Sequence, residues 1–448
     1  MNKKTRLIFL FVFIFGAVSL CAQENTESER SPQQIFEDNY RSLWDSLAEY
    51  EQFAIACSSN IFERNSQFHL DFSNRKLRDK KSREGIDVLN ENWGIYNYDD
   101  LMKAYNELSE GEQNAAYVKL KTLLEKYPES SVIEIGEKEE LTITEVSRLY
   151  FVKEMQGVLG SHNLEAWIDA RRISIIRWSI GAGYISLYEG TQLIKPIVKA
   201  IKDDYSNYED FFAHWLAGYC FNEVFYSTCP DCTEPLIAAN EAARAYIPFE
   251  ELIFTGRNAD KNHSMKISEG VYTPSEEAAK MIPVQKVYKR YWKEEASETI
   301  LNDFIKAEEN YPQISNILLL PRFVLMQIYS TTEKRIAYVD SKKEYLNSLP
   351  ENSQNLFYIT QVYLSDLNNV YRPQQVIDIY ETLNDSFKKD EKIYYQYGYS
   401  YYLLAGISQS IVERDFCVSR AVTVFNRLKN NGFALNEKMN SWLTAVTK

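Results

Sequence analysis

Residues 164–185 read LEAWIDARRISIIRWSIGAGYI, and the fold class follows from how this stretch winds. At 3.6 residues per turn its apolar side chains Trp167, Ile168, Ala170, Ile173, Ile175, Ile176, Trp178 and Ile180 surround most of a helix rather than forming one stripe, the pattern of a helix buried among other helices. The same stretch carries Asp169, Arg171, Arg172 and Arg177. Charges on a buried helix survive only when paired or hydrogen-bonded, and Asp169 and Arg172, three residues apart, share a face. Two readings follow. Asp169, Arg172 and Arg177, with Trp167, Trp178 and Tyr184 around them, line a ligand pocket in which arginine forks grip a carboxylate or phosphate; or the charges are a structural ion pair that fixes how helices dock.

Working outward, start signals surround the stretch. Asn163 is expected to cap it, with Glu165 in the first turn. Thr142 with Glu145, Ser186 with Glu189 and Ser206 with Glu209 spell capping boxes. The helix after Ser186 contains Pro196, which removes a backbone hydrogen bond; the one after Ser206 is aromatic and runs over 208–225. Earlier, Asn97 precedes a helix to Glu110 closed by Gly111, and another ends near Lys126, before Tyr127-Pro128. The pattern begins near Gly85. Before it, residues 34–57 carry Phe36, Tyr40, Leu43, Trp44, Leu47 and Tyr50 at helical spacing, and 58–84 read as an irregular connection.

Three segments carry a family likeness: LNENWGIYNYDDL at 89–101, AWIDARRISIIRWSIGAGYIS at 166–186 and YSNYEDFFAHWLAGYCF at 205–221. Over about Gly85 to Cys232 the chain resembles the bacterial family catalogued as domain of unknown function 1266. The resemblance rests on Trp93-Gly94-Ile95 before a helix, the Asp and Arg of the central helix, Gly183-Tyr184-Ile185 after it, and an aromatic helix ending near Gly218. It implies an all-helical domain and no established activity. The chain departs from the family at Gly111-Glu112, where members often carry Gly-His, so any role of that histidine is altered here.

Beyond about Lys280 the pattern becomes helix pairs. Residues 355–368 and 373–387 read as one hairpin, with Pro373 at a helix start, and 391–405 and 411–428 as another; 296–309, 317–330 and 333–346 precede them. Tyr397, Tyr401, Ala405, Ala421 and Phe425 fall where tetratricopeptide-like hairpins interlock, without a clean 34-residue consensus. The expected organisation is all-α: a signal peptide at 1–22, a helix and linker at 23–84, a compact multi-helix domain at 85–253, a connecting loop at 254–279 and a tetratricopeptide-like array of α-hairpins at 280–448.

The basic start Lys3, Lys4 and Arg6 and the uncharged 14-residue run from Leu7 to Leu20 read as an export signal cleaved after Ala22. The run is too short for a good membrane span. The alternatives are a lipid anchor at Cys21, against which Leu20 argues, and an uncleaved anchor. Removing the signal takes the net charge from −13 to −16, which argues against nucleic acid or anionic lipid as partner. The one basic run, RKLRDKKSR at 75–83, lies in the expected linker.

Cys229-Pro230-Asp231-Cys232 follows a helix rather than a strand, so a local disulfide or inert thiol pair is expected rather than a redox site. With His214 and Cys220 it makes four zinc ligands on paper, at spacings that match no compact zinc site. His69, His162, His214 and His263 fall in separate elements with no evident partner. No phosphate loop, nucleophile elbow or HExxH is present, and no cofactor or metal is implied. The leading expectation is an exported cell-envelope protein that binds a peptide or protein without catalysis. The alternative is an enzyme or small-anion sensor built on Asp169, Arg172 and Arg177.

Overall fold

The computed structural model describes residues 40–64, 72, 86–110, 112–223, 229–259, 264–293 and 296–447. The expected signal peptide, Cys21, His69, the basic run at 75–83, Gly111 and His263 lie outside them, as does the side chain of Cys229. The described residues are all-α, with no strand, and among them no helix is long and apolar enough to cross a membrane. The chain divides into two compact units, one running to Lys119 and resuming over Glu154–Thr273, the other comprising Leu120–Lys153 and Pro274–Lys448.

Among the described residues a helical segment over 40–45 comes first, followed in chain order by α1 (Glu49–Arg64), α2 (Tyr98–Glu110), α3 (Glu112–Lys126), α4 (Val132–Lys138), α5 (Ile143–Leu159), α6 (Glu165–Ala182), α7 (Leu187–Asp204), α8 (Tyr208–Glu223), α9 (Cys229–Ala243) and α10 (Ile267–Gly270). In the first unit α6 packs against α1, α2, α7 and α8 together, which is why its apolar residues wrap all round: Ile173, Ile175, Ile176 and Trp178 are all buried. The crossing with α8 is close because Gly218 presents no Cβ to Trp167. The helix ends at Gly183, whose φ of 80° is the left-handed conformation glycine adopts freely; the amide of Tyr184 then donates to the carbonyl of Ser179.

Capping follows the sequence at most sites. Ser186 with Glu189 and Thr142 with Glu145 form reciprocal boxes, and Asn97 accepts from the amide of Asp100. Two sites differ. Asn163 does not cap α6: it sits in the turn before Leu164 at φ 49°, and α6 starts without a side-chain cap. The cap of α8 is one residue later than expected, with Asn207 accepting from the amide of Asp210 and Asp210 from the amide of Ser206.

Residues 254–273, expected as a connection, belong to the first unit. At their start the backbone serves another helix, the amides of Thr255 and Gly256 donating to the carbonyl of Lys202 and that of Asn258 to the carbonyl of Asp203 at the end of α7, and Ile267–Gly270 form α10. Residues 120–153, expected in the first domain, belong to the second unit.

The second unit continues with α11 (Glu276–Ala279), α12 (Met281–Lys293), α13 (Glu298–Asn310), α14 (Leu319–Tyr329), α15 (Thr332–Ser341), α16 (Lys343–Ser348), α17 (Gln354–Asn369), α18 (Pro373–Thr382), α19 (Asp385–Lys389), α20 (Glu391–Ile407), α21 (Ile411–Asn430) and α22 (Glu437–Val446). Neighbours in sequence pack as neighbours in space, α12 on α13, α13 on α14, α17 on α18 and α20 on α21. Tyr397, Tyr401, Ala405, Ala421 and Phe425 are all buried. The helix expected over 373–387 breaks at Leu383, since Asn384 accepts from the amides of Ser386 and Phe387 and begins α19. The one expected over 333–346 breaks at Lys342, whose ammonium reaches Glu308 at 2.7 Å. Arg335 holds Asp366 through two hydrogen bonds of 2.9 and 2.7 Å, joining α15 to α17.

Candidate functional site

Three turns of α6 carry the charges singled out in the sequence, and they part company. Arg172 Nη1 meets Asp169 Oδ1 at 3.0 Å, the two side chains 18% and 14% exposed. Arg172 Nη2 donates to Tyr105 Oη on α2 at 2.6 Å, with the guanidinium 4.4 Å from the ring centroid. Burial pushes the Asp169 carboxyl up to about 7 against the pull of Arg172, helped by the nearby charges of Glu165 and Asp204. Arg177 is elsewhere: fully buried, it donates to Ser58 Oγ at 2.6 Å and to the carbonyl of Phe72 at 3.4 Å, and lies 4.0 Å from the Phe62 ring centroid. It ties α6 to α1 and to residue 72. Tyr184 is a third place, its hydroxyl donating to Asn90 Oδ1 at 3.2 Å.

The histidines are less separate than their positions in the sequence. His162 and His214 have ring centroids 5.6 Å apart, edge to face, and both pack on Tyr205, at 5.2 and 5.1 Å. His214 Nδ1 donates to the carbonyl of Asp210 at 2.9 Å, and the buried Tyr205 hydroxyl has no hydrogen-bond partner among the described residues. Burial raises Asp210, but hydrogen bonds from His214 and from the amides of Ser206 and Met265 bring its carboxyl below its usual value. Cys220 faces the carbonyl of Gly270 at 3.9 Å, a different neighbour from that of His214. Among the described residues no group of three or more His, Cys, Asp or Glu side chains is placed to hold a metal ion.

Another face of α6 borders a cavity of about 340 Å³ lined by Asn60, Ile61, Val88, Asn92, Trp93, Trp167, Arg171, Trp178 and Trp215. Trp167, Arg171 and Trp178, spaced by four and seven residues, fall on one face of α6; Trp93 comes from the π-helical turn Val88–Asn92 and its C-cap, and Trp215 from α8. The Arg171 guanidinium lies 4.6 Å from the Trp93 ring centroid and 5.2 Å from that of Trp167. Trp167 and Trp178 were legible as candidates. Arg171 was visible as a charge on the same face, whereas Trp93, Trp215 and Asn60 reach the cavity only through tertiary packing.

The second unit has its own feature. A groove of about 600 Å³ is lined by Ile377, Tyr401, Leu404, Ile407, Val412, Phe416 and neighbouring residues of α18, α20 and α21. Ile407, Ile411, Val412 and Phe416 are 59%, 70%, 80% and 54% exposed. The signal was present in three apolar residues flanking the polar turn Ser408-Gln409-Ser410.

No curated protein matches the chain, and no solved structure does. Residues 88–229, the segment that carries α2, α6, α8, the Asp169–Arg172 pair and most of the tryptophan cavity, match the model of the family described as a protein of unknown function (DUF1266).

Proposed function

We propose that the protein is an exported, non-catalytic binding protein of the cell envelope, and that its second unit, a tetratricopeptide-like array, recognises a peptide or protein segment in the groove between α20 and α21. The observation that carries this reading is the cluster of Ile407, Ile411, Val412 and Phe416 at one helix junction, each more than half exposed. An isolated exposed apolar residue needs no explanation, but four together around a groove mark a contact surface. Tyr401, packed edge to face on Phe416 at 6.1 Å, backs the groove with a rigid aromatic of the kind that dominates binding surfaces. Export is supported by the basic and apolar run of the first 22 residues.

The geometry lends less to a small-anion site on Asp169, Arg172 and Arg177, because Arg177 is spent on Ser58 and Phe72 and Arg172 on Asp169 and Tyr105. The test is selection of displayed peptides on the protein with counter-selection on Phe416→Asp. The expected result is a family of peptides with apolar anchors that bind at micromolar Kd and at least tenfold more weakly to the variant. Peptides that bind both proteins equally, or no enrichment, overturn the reading.

A further inference from the structure

The walls of the groove in the second unit restrict the form in which a partner can enter it. Ile411 to Phe416, the first six residues of α21, are exposed without a break, so over about one and a half turns no face of that helix is buried. The apolar wall continues through Tyr401, Leu404 and Ile407 on α20 and Ile377 on α18. From Tyr401 to Ser408 it runs about 10 Å at 1.5 Å per helical residue. At about 30 Å³ per water-sized group the groove, about 600 Å³, takes the side chains of roughly three or four apolar anchors.

Those walls offer few hydrogen-bonding groups. They are helices whose backbone is bonded internally, apart from the first amides of α18 and α21 and the last carbonyls of α20, all at one end. Their polar side chains are largely engaged as well. Ser408 Oγ donates to Glu413 Oε2 at 3.0 Å and Gln374 Nε2 to Asp378 Oδ1 at 2.8 Å. The Tyr401 hydroxyl lies 3.4 Å from that of Tyr397, which donates to Glu381. Burial raises the Cys417 thiol, and Glu413 adds to the effect, so the floor stays neutral and weakly polar. An extended segment spans the same length with about three residues, and the amides and carbonyls it turns to the walls meet hydrocarbon, each a lost hydrogen bond. A helix brings its backbone already bonded and presents only side chains.

The charges give such a helix a direction. Glu413, Phe416, Cys417 and Arg420 stand at i, i+3, i+4 and i+7 on one face of α21, so a carboxylate and a guanidinium bracket the apolar patch about 10 Å apart. Both residues are exposed, and the guanidinium lies 5.5 Å from the Phe416 ring centroid. A helix lying between them meets both charges when it sets a cation against Glu413 and an anion against Arg420, two turns away. Its own dipole favours the anion towards its N-terminus and the cation towards its C-terminus, which runs it antiparallel to α21. Resting on the reading of the groove as the binding surface, we propose that the partner enters it as an amphipathic α-helix antiparallel to α21, with an acidic residue at i, apolar anchors at i+3, i+4 and i+8, and a basic residue at i+7.

The test uses three fluorescein-labelled, end-blocked peptides on the full-length protein, followed by polarisation. The first carries Glu, Leu, Leu, Lys and Leu at i, i+3, i+4, i+7 and i+8 on an alanine and glutamine background. The second exchanges Glu and Lys. The third keeps every anchor and puts proline at an outward-facing position in the middle, where a helix cannot hold it. The first is expected to bind at micromolar Kd, the second and third at least tenfold more weakly. Glu413→Lys combined with Arg420→Glu, both on exposed side chains, is expected to reverse the order of the first two. A proline peptide or a charge-exchanged peptide that matches the first overturns the proposal; where all three are still lost in Phe416→Asp, the groove remains the binding surface and only the helix and its direction fall. No binding of any peptide at millimolar concentration, or equal binding to Phe416→Asp, overturns both.

Discussion

Replacing Arg177 distinguishes a structural cation from a functional one. In the folded state its charge-assisted hydrogen bonds among the described residues include those to Ser58 Oγ and the Phe72 carbonyl, and it covers the Phe62 ring at 4.0 Å. Hydrogen bonds to charged groups contribute about 1.5–3 kcal/mol each, and a desolvated cation–π contact about 2 kcal/mol, a gross gain of roughly 5–8 kcal/mol. Desolvating the guanidinium takes back several kcal/mol. Arg177→Ala loses the gains and leaves a void and an unmatched Phe72 carbonyl, though Ser58 keeps its bond to the carbonyl of Ala54 at 2.6 Å; a loss of about 3–5 kcal/mol is expected. Arg177→Met fills most of the volume and carries no charge to bury, so its loss is expected to be about 1–2 kcal/mol. At roughly 2–4 °C per kcal/mol in a unit of this size, the alanine variant melts about 10 °C lower and the methionine variant about 4 °C lower. Thermal and urea unfolding followed by tryptophan fluorescence measure both. Wild-type stability in Arg177→Ala, or equal losses in the two variants, would refute the reasoning.

Other outcomes follow from the same contacts. Asp169 stands at about 7 in the folded state against 3.8 in a free chain, so between those pH values the folded state holds a proton that the unfolded state has released. Stability is therefore expected to fall as pH rises from about 4 to 7, by at most about 4 kcal/mol at 1.36 kcal/mol per unit, and urea titrations across that range should lose the slope in Asp169→Asn. Gly218→Ala places a Cβ against Trp167 Cβ and 3.0 Å from its Cγ, an overpacking expected to destabilise the first unit by about 1–3 kcal/mol by urea unfolding. Asp366→Ala strands the Arg335 guanidinium, the pair being 12% and 5% exposed, and should lower the stability of the second unit by about 3–5 kcal/mol, read by circular dichroism.

Much of the helical architecture was legible because it is local. The all-round apolar pattern of 164–185 fixed α6 as central, and the boxes at Thr142 and Ser186 fixed where α5 and α7 begin. What stayed hidden depends on partners far away in sequence. Asn163 looks like a cap, yet the turn before Leu164 turns it into the left-handed region. Residues 254–259 look like a linker because nothing local shows their amides meeting the end of α7. The charges of α6 were visible as a group, but whether Arg177 faces Asp169 or Ser58 is decided by α1, more than a hundred residues earlier. The tryptophan cavity shows the same limit: one face of α6 announces Trp167, Arg171 and Trp178, and the rest arrives from three other segments.

The proposed contact role is tested most directly by photo-crosslinking from the groove in the cells that make the protein. A benzophenone amino acid at position 416 should give one discrete adduct with a partner identified by mass spectrometry, lost in Val412→Asp and absent when the same group stands at Tyr188, which is 74% exposed. No adduct at 416, or the same adducts from 416 and 188, would contradict the account.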